Sequence, residues 1–190
     1  MLFEKEGINT KHISSDSKNP SGVALITVDA KGENCIVVAP GSNGTLSKKD
    51  VDNAKEDIRI SAIMLLQLET PVETILHAAK LGCEAGCKVV LNPAPAQKLP
   101  DSIYKYLYLI TPNETETEIL TGVKVKNITS AQEASREFLK KGVKNVIITM
   151  GSKGAFLFNK DESKLIPTEK VTAVDTTAAG DVFNGALCVA

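Results

Sequence analysis

Apolar and polar positions alternate along this chain with two periods, and their order sets the expected fold. Residues 22–28 and 34–39 are rich in β-branched side chains and flank the turn sequence Asp29-Ala30-Lys31-Gly32, which predicts a hairpin. Pro40 to Gly44 reads as a loop, and Ser47 followed by Asp50 is a capping box that opens a helix. Residues 62–68 are apolar enough for a strand buried on both faces. Thr70-Pro71-Val72-Glu73 predicts another capping box, with proline at the first helical position and a helix running towards Gly86. Strands are expected at 88–91, 108–110 and 145–149. One intervening helix starts at Pro112 and stops near Gly122; the next is capped by Ser130 and ends at Gly142. Residues 155–158 and 164–166 suggest a second hairpin, and 171–174 a strand leading into a glycine-rich turn and a last helix.

Alternation of this kind means an α/β fold: a mostly parallel sheet with helices on both faces, whose ligands bind at the C-terminal ends of the strands. Polar groups gather at those ends. Glu69 closes one strand; Asn92-Pro-Ala-Pro-Ala96, Thr111-Pro-Asn-Glu-Thr-Glu116, Thr149-Met-Gly-Ser-Lys-Gly154 and Asp175 to Asp181 follow four others. Asn113 and Glu116, three apart on a helix, can reach one ligand or one metal-bound water; both also suit helix capping. Gly151, Ser152 and Gly154 can bring N–H groups close to phosphates, or form a plain hairpin turn, with Lys153 as added charge or as a solvated side chain.

The most informative stretch runs from Asp175 to Leu187. Small and hydroxylated residues lead into Gly180-Asp181 at the start of an apolar, helix-like run. A helix start offers N–H groups to a developing negative charge, and a carboxylate beside it can take a proton from an attacking alcohol. Asp181 as a simple helix cap is the alternative.

Composition removes several function classes. The chain has 190 residues, 43% of them hydrophobic and 24% charged, as in ordinary globular domains. A net charge of −1 and 4% aromatics give no field or stacking surface for nucleic acid. No apolar run reaches membrane-spanning length and no signal-peptide pattern is present. The four cysteines, with isolated His12 and His77, suggest small buried residues of a reduced cytoplasmic protein rather than metal ligands. There is no Walker A sequence, no Gly-x-Gly-x-x-Gly after a strand and no Ser/His/Asp grouping.

Asp175-Thr-Thr-Ala-Ala-Gly-Asp-Val-Phe-Asn-Gly185, together with the segments 66–71, 92–96, 111–116 and 149–154 in the same order, resembles the ribokinase-like carbohydrate kinases, which include B-type phosphofructokinases, fructokinases and adenosine kinase. The resemblance covers nearly the whole chain. It implies a three-layer α/β fold with a β-lid, to which residues 22–39 contribute, and one partial domain over 1–190. It implies ATP-dependent phosphorylation of the primary hydroxyl of ribose. Fructose, 2-keto-3-deoxygluconate and adenosine are alternative acceptors, and non-catalytic sugar or nucleotide binding is a third reading. By resemblance, Asp181 is the general base and Ala178, Ala179 and Gly180 form the anion hole. Glu69 hydrogen-bonds the sugar, and Asn113 contacts ATP phosphates. Thr149, Met150, Gly151, Ser152, Lys153 and Gly154, with Gly180, line the nucleotide site. Glu116 holds the Mg²⁺ shell, Asp175 and Thr177 hold K⁺, and the lid pairs two subunits into a homodimer. Val182 stands where such kinases often carry threonine. The chain begins in a polar, helix-like segment and stops at Ala190, ten positions beyond Gly180. A piece of a longer protein is therefore expected. It would be inactive alone because the family's Gly-Gly sugar motif and the rest of its adenine pocket are not among these residues.

Overall fold

A computed structural model describes residues 2–28, 34–169, 171 and 176–190. The turn expected at 29–32, residues 172–174 of the strand expected over 171–174, and Asp175 lie outside the described residues. The elements are α1 Leu2–Lys5, β1 Val23–Val28, β2 Asn34–Ala39, α2 Lys48–Asn53, α3 Lys55–Ile60, β3 Ile63–Leu66, α4 Val72–Glu84, β4 Lys88–Leu91, β5 Leu109–Ile110, α5 Glu114–Thr121, α6 Ile128–Lys140, β6 Asn145–Thr149, β7 Ala155–Phe158, β8 Ser163–Ile166 and α7 Ala179–Val189. Strands β3 to β8 form one sheet in chain order. β3 through β6 are parallel, and β7 and β8 turn back antiparallel. β1 and β2 pair as a separate antiparallel hairpin with Val23 opposite Ala39.

The period-2 alternation of the central strands divides the core into two layers. Val89 and Leu91 of β4 and Val146 and Ile148 of β6 point to one face, where they meet Ile75 and Ala79 of α4 and Ala134 and Phe138 of α6. Val90, Leu109 and Ile147 point to the other face, against Phe183, Leu187 and Cys188 of α7. Helices therefore cover both faces, as parallel strands require. The C-terminal ends of β3 to β6 share one rim.

Three local expectations need correction. The strand at 62–68 is not buried on both faces. β3 pairs only with β4 among the described residues, and Leu65 is 43% exposed, because an edge strand has covering neighbours on one side only. Thr70 does not cap α4: Pro71 occupies the N-cap with extended ψ and no side-chain cap bond, while Glu73 turns outward to pair with Lys48 at 3.0 Å. α6 starts before Ser130. Asn127 is its N-cap, accepting from the Ser130 N–H at 3.0 Å, and the Ser130 hydroxyl accepts from Asn127 N in return. Asparagine and serine cap about equally well; starting at Asn127 lets Ser130 serve as the N3 partner of a reciprocal box. The box at Ser47 and Asp50 forms as expected.

Candidate active site

The segments that follow β3, β4, β5 and β6 lie at the rim with the start of α7. The turn after β4 is tied back to β3. Asn92 N donates to Leu66 O at 2.8 Å, Leu68 N to Ala94 O at 2.9 Å, and Gln97 Nε2 to Leu68 O at 3.1 Å. Glu69 follows directly, with its side chain exposed above this braced turn.

After β5, Asn113 caps α5 in a reciprocal box. Its Oδ1 accepts from Glu116 N and its own N–H donates to Glu116 Oε2, both at 2.8 Å. Of the two readings of this pair, helix capping is the one these hydrogen bonds show. Glu116 is only 9% exposed. Burial pushes its carboxyl above the usual carboxylate range, opposed by the hydrogen bond from the Asn113 N–H. A carboxyl raised in the folded state favours folding most when protonated. That contribution is complete below its unfolded pKa and is lost as pH rises through the elevated one.

After β6, Thr149 N donates to Pro112 O at 3.0 Å and bridges to Asn113. The turn 151–153 then closes with Met150 N donating to Gly154 O at 2.8 Å. Lys153 leans across to Glu114, Nζ to Oε1 at 3.0 Å. Met150 is buried in the core and directs only its backbone to the rim. Ser152 and Lys153 are exposed on the outer side of the turn.

The last loop supplies the helix start. Ala178 is the N-cap of α7 with φ of 60°, and among the described residues it alone combines a side chain with a positive φ. That conformation costs roughly 1–2 kcal/mol for a residue with a Cβ, and such strain gathers at sites of function. Ala179 N donates to Thr176 O at 3.2 Å, and the first N–H groups of α7 face out of the helix start, as at any helix N-terminus. Asp181 occupies the first turn with its side chain exposed.

The segments after β5 and β6, the start of α7 and the end of β8 line an open cleft of about 730 Å³, with Asn113, Glu114, Thr149, Gly151, Gly154, Ile166, Ala179, Gly180 and Phe183 among its walls. Six residues foreseen from sequence thus line one wall-to-wall space. Asp181 follows Gly180 directly, and Glu69 and Glu116 stand outside the lining. Glu114, Ile166 and Phe183 were not foreseen as site residues; Glu114 and Phe183 lie within recognised segments and Ile166 in the second predicted hairpin. Asn184 was also missed. It is buried inside α7 and bonded to Thr111, and a lone amide on an apolar helix face was its available signal. Thr177 lies in the turn before α7. The His12 ring contacts Asp57 and His77 contacts Asp52, both away from the rim. Among the described residues no group of three or more His, Cys, Asp or Glu could hold a metal, and no helix is long and apolar enough to cross a membrane.

The pfkB family carbohydrate kinases match residues 1–190. The chain is 47% identical over 188 residues to the ribokinase of Haemophilus influenzae, covering 99% of this chain and 61% of that one. It is 42% identical over 184 residues to the deoxyribokinase of Salmonella typhi, covering 96% and 60%. The structure of Arabidopsis thaliana ribokinase complexed with ribose and ATP superposes with a TM-score of 0.84 at 31% identity, covering 96% of this chain and 60% of that one. The chain thus spans about 60% of the length of these relatives. With the family matched over residues 1–190 and relatives 42–47% identical across nearly all of it, the chain belongs to the pfkB family of carbohydrate kinases.

Proposed function

We propose that the protein transfers the γ-phosphoryl group of ATP to the primary hydroxyl of ribose, giving ribose 5-phosphate and ADP. The observation that carries this reading is the cleft in which Asn113, Thr149 and Gly154 face the exposed start of α7, with Asp181 next in the chain. Asp181 accepts the hydroxyl proton as the sugar oxygen bonds to the γ-phosphorus; the bond to the bridging oxygen breaks and its electron pair leaves with ADP. The transition state is loose and needs positioning and charge neutralisation more than covalent help. Backbone N–H groups of the 178–181 turn supply the neutralisation at fixed positions. Asn113, Thr149, Gly151 and Gly154 hold the nucleotide, with Met150, Ser152 and Lys153 shaping the turn, and Glu69 orients the sugar. Glu116 suits magnesium held through water, because Oε2 takes the Asn113 N–H and Oε1 remains. When bound, that ion adds charge neutralisation at the phosphates. Asp175 and Thr177 hold a K⁺ ion ahead of the helix.

The hairpin within 22–39 acts as lid and dimer contact in this reading. Val23, Leu25 and Val37 lie on one of its faces and are each more than half exposed. The likeness to a deoxyribokinase favours 2-deoxyribose as the second candidate acceptor.

Coupled measurement of ADP release, on the complete reading frame that encodes this segment, tests the proposal. The expected result is Mg-ATP turnover with a higher kcat/KM for ribose than for 2-deoxyribose. The opposite order assigns the second sugar, and no turnover with either overturns the reading.

The raised Glu116 carboxyl adds a pH dependence. It must lose its proton to hold the magnesium shell, so Mg-ATP affinity falls as pH drops through that elevated pKa, earlier than for a solvated carboxylate. Calorimetric titration across pH should show this acid limb, and Glu116→Gln should remove it while weakening binding at neutral pH.

A further inference from the structure

We infer that Asn184, through Thr111, is a positioning residue that holds the base and anion-hole turn of α7 in register with the Asn113–Glu116 segment. The inference rests on the kinase reading above. Asn184 is 3% exposed and Thr111 2%, so both polar groups are withdrawn from water and must find partners inside. They find each other across 73 residues of sequence, Thr111 Oγ1 donating to Asn184 Oδ1 at 2.6 Å. Asn184 Nδ2 then donates to Gly180 O at 2.8 Å. The reverse amide orientation would set Oδ1 against the Gly180 carbonyl, two acceptors face to face, so the chemistry fixes one arrangement.

The far end of the chain is equally anchored. Thr111 N donates to Leu91 O at 3.0 Å, and Asn92 Nδ2 donates to Thr111 O at 3.2 Å. A continuous hydrogen-bonded line thus runs from the ends of β4 and β5 to the carbonyl of Gly180, the residue before the base. Thr111 is two residues before Asn113, so one buried pair sets the spacing of the two halves of the cleft. A fully satisfied buried network of this kind rigidifies what it joins. Neither side chain lines the cleft. The pair acts on where Gly180 and Asp181 stand and makes no substrate contact of its own.

Thr111→Val keeps the shape and removes the hydroxyl, Asn184→Ala removes the link, and Thr111→Ser retains the donor. Because a displacement near 1 Å can cost about a hundredfold in rate, kcat should fall about 10- to 100-fold in the first two variants, with KM for ribose and ATP within about threefold. Thr111→Ser should keep most of kcat. An unchanged kcat in Thr111→Val, a change confined to KM, or an equal loss in Thr111→Ser overturns the inference. Amide hydrogen exchange over 179–187 reads the same link without catalysis: it should quicken in Thr111→Val and not in Thr111→Ser, and unaltered exchange also overturns it. If the unaltered protein phosphorylates no sugar, the kinase reading fails, and the exchange result alone decides the positioning claim.

Discussion

Asp181→Asn will lower kcat by at least about a hundredfold, the lower range for loss of a general base, while ATP affinity stays within a few-fold of the unaltered protein. Asparagine has nearly the same shape and hydrogen-bonding reach but cannot accept the hydroxyl proton at neutral pH. Asp181 is exposed at the start of α7 and does not line the cleft with Asn113, Thr149 and Gly154, so nucleotide contacts are left in place. The exposed position also limits the folding cost to about 0.5 kcal/mol or less, as for most surface changes. Steady-state kinetics with calorimetric ATP titration separates the two effects. A kcat within tenfold of the unaltered value would remove Asp181 from the chemistry.

Gly154→Ala should be the most damaging conservative change at the cleft. Gly154 has φ of 99° and ψ of −145°, and a Cβ there would stand 2.0 Å from the carbonyl oxygen of Ile166. Two penalties therefore add: a backbone region that side chains avoid, and a backbone clash relieved only by moving β8 away from β7. The strain alone is of order 1–3 kcal/mol, and a loss of at least about 2 kcal/mol lowers Tm by about 4–8 °C in a protein of this size. Gly151→Ala is the matched control. Its φ is also positive, at 54°, but a Cβ there meets nothing within 4 Å, so it bears the strain without the clash. Equal melting temperatures for the two variants would contradict this account. The Gly154 variant should also lose nucleotide affinity, because Met150 N and Gly154 O close the turn that forms one wall of the cleft.

Much of this architecture was legible in the order of apolar runs. Strands β4, β6 and β7 begin and end where the patterns place them, and Gly86 and Gly122 follow α4 and α5 as expected. Local signals failed where two local solutions compete. Asn127 and Ser130 are both cap residues three positions apart, and the helix starts at the first, with the second as its N3 partner. Thr70 carries a capping hydroxyl, but the extended ψ of Pro71 places the proline itself at the helix boundary. Burial of β3 failed for a different reason: an apolar run announces a strand and does not reveal whether that strand has one neighbour or two. The cleft was legible as a set of strand ends. The Thr111–Asn184 bond was not, since nothing local in either segment marks a partner 73 residues away.

The identity of the phosphorylated oxygen tests the central claim most directly. Proton-coupled phosphorus NMR of the product, formed from ATP and ribose by the complete reading frame, should show a phosphate ester coupled to the C5 methylene protons. The signal should vanish in Asp181→Asn at equal protein concentration and time. A phosphate on the anomeric carbon, or inorganic phosphate released without a sugar ester, would contradict the account.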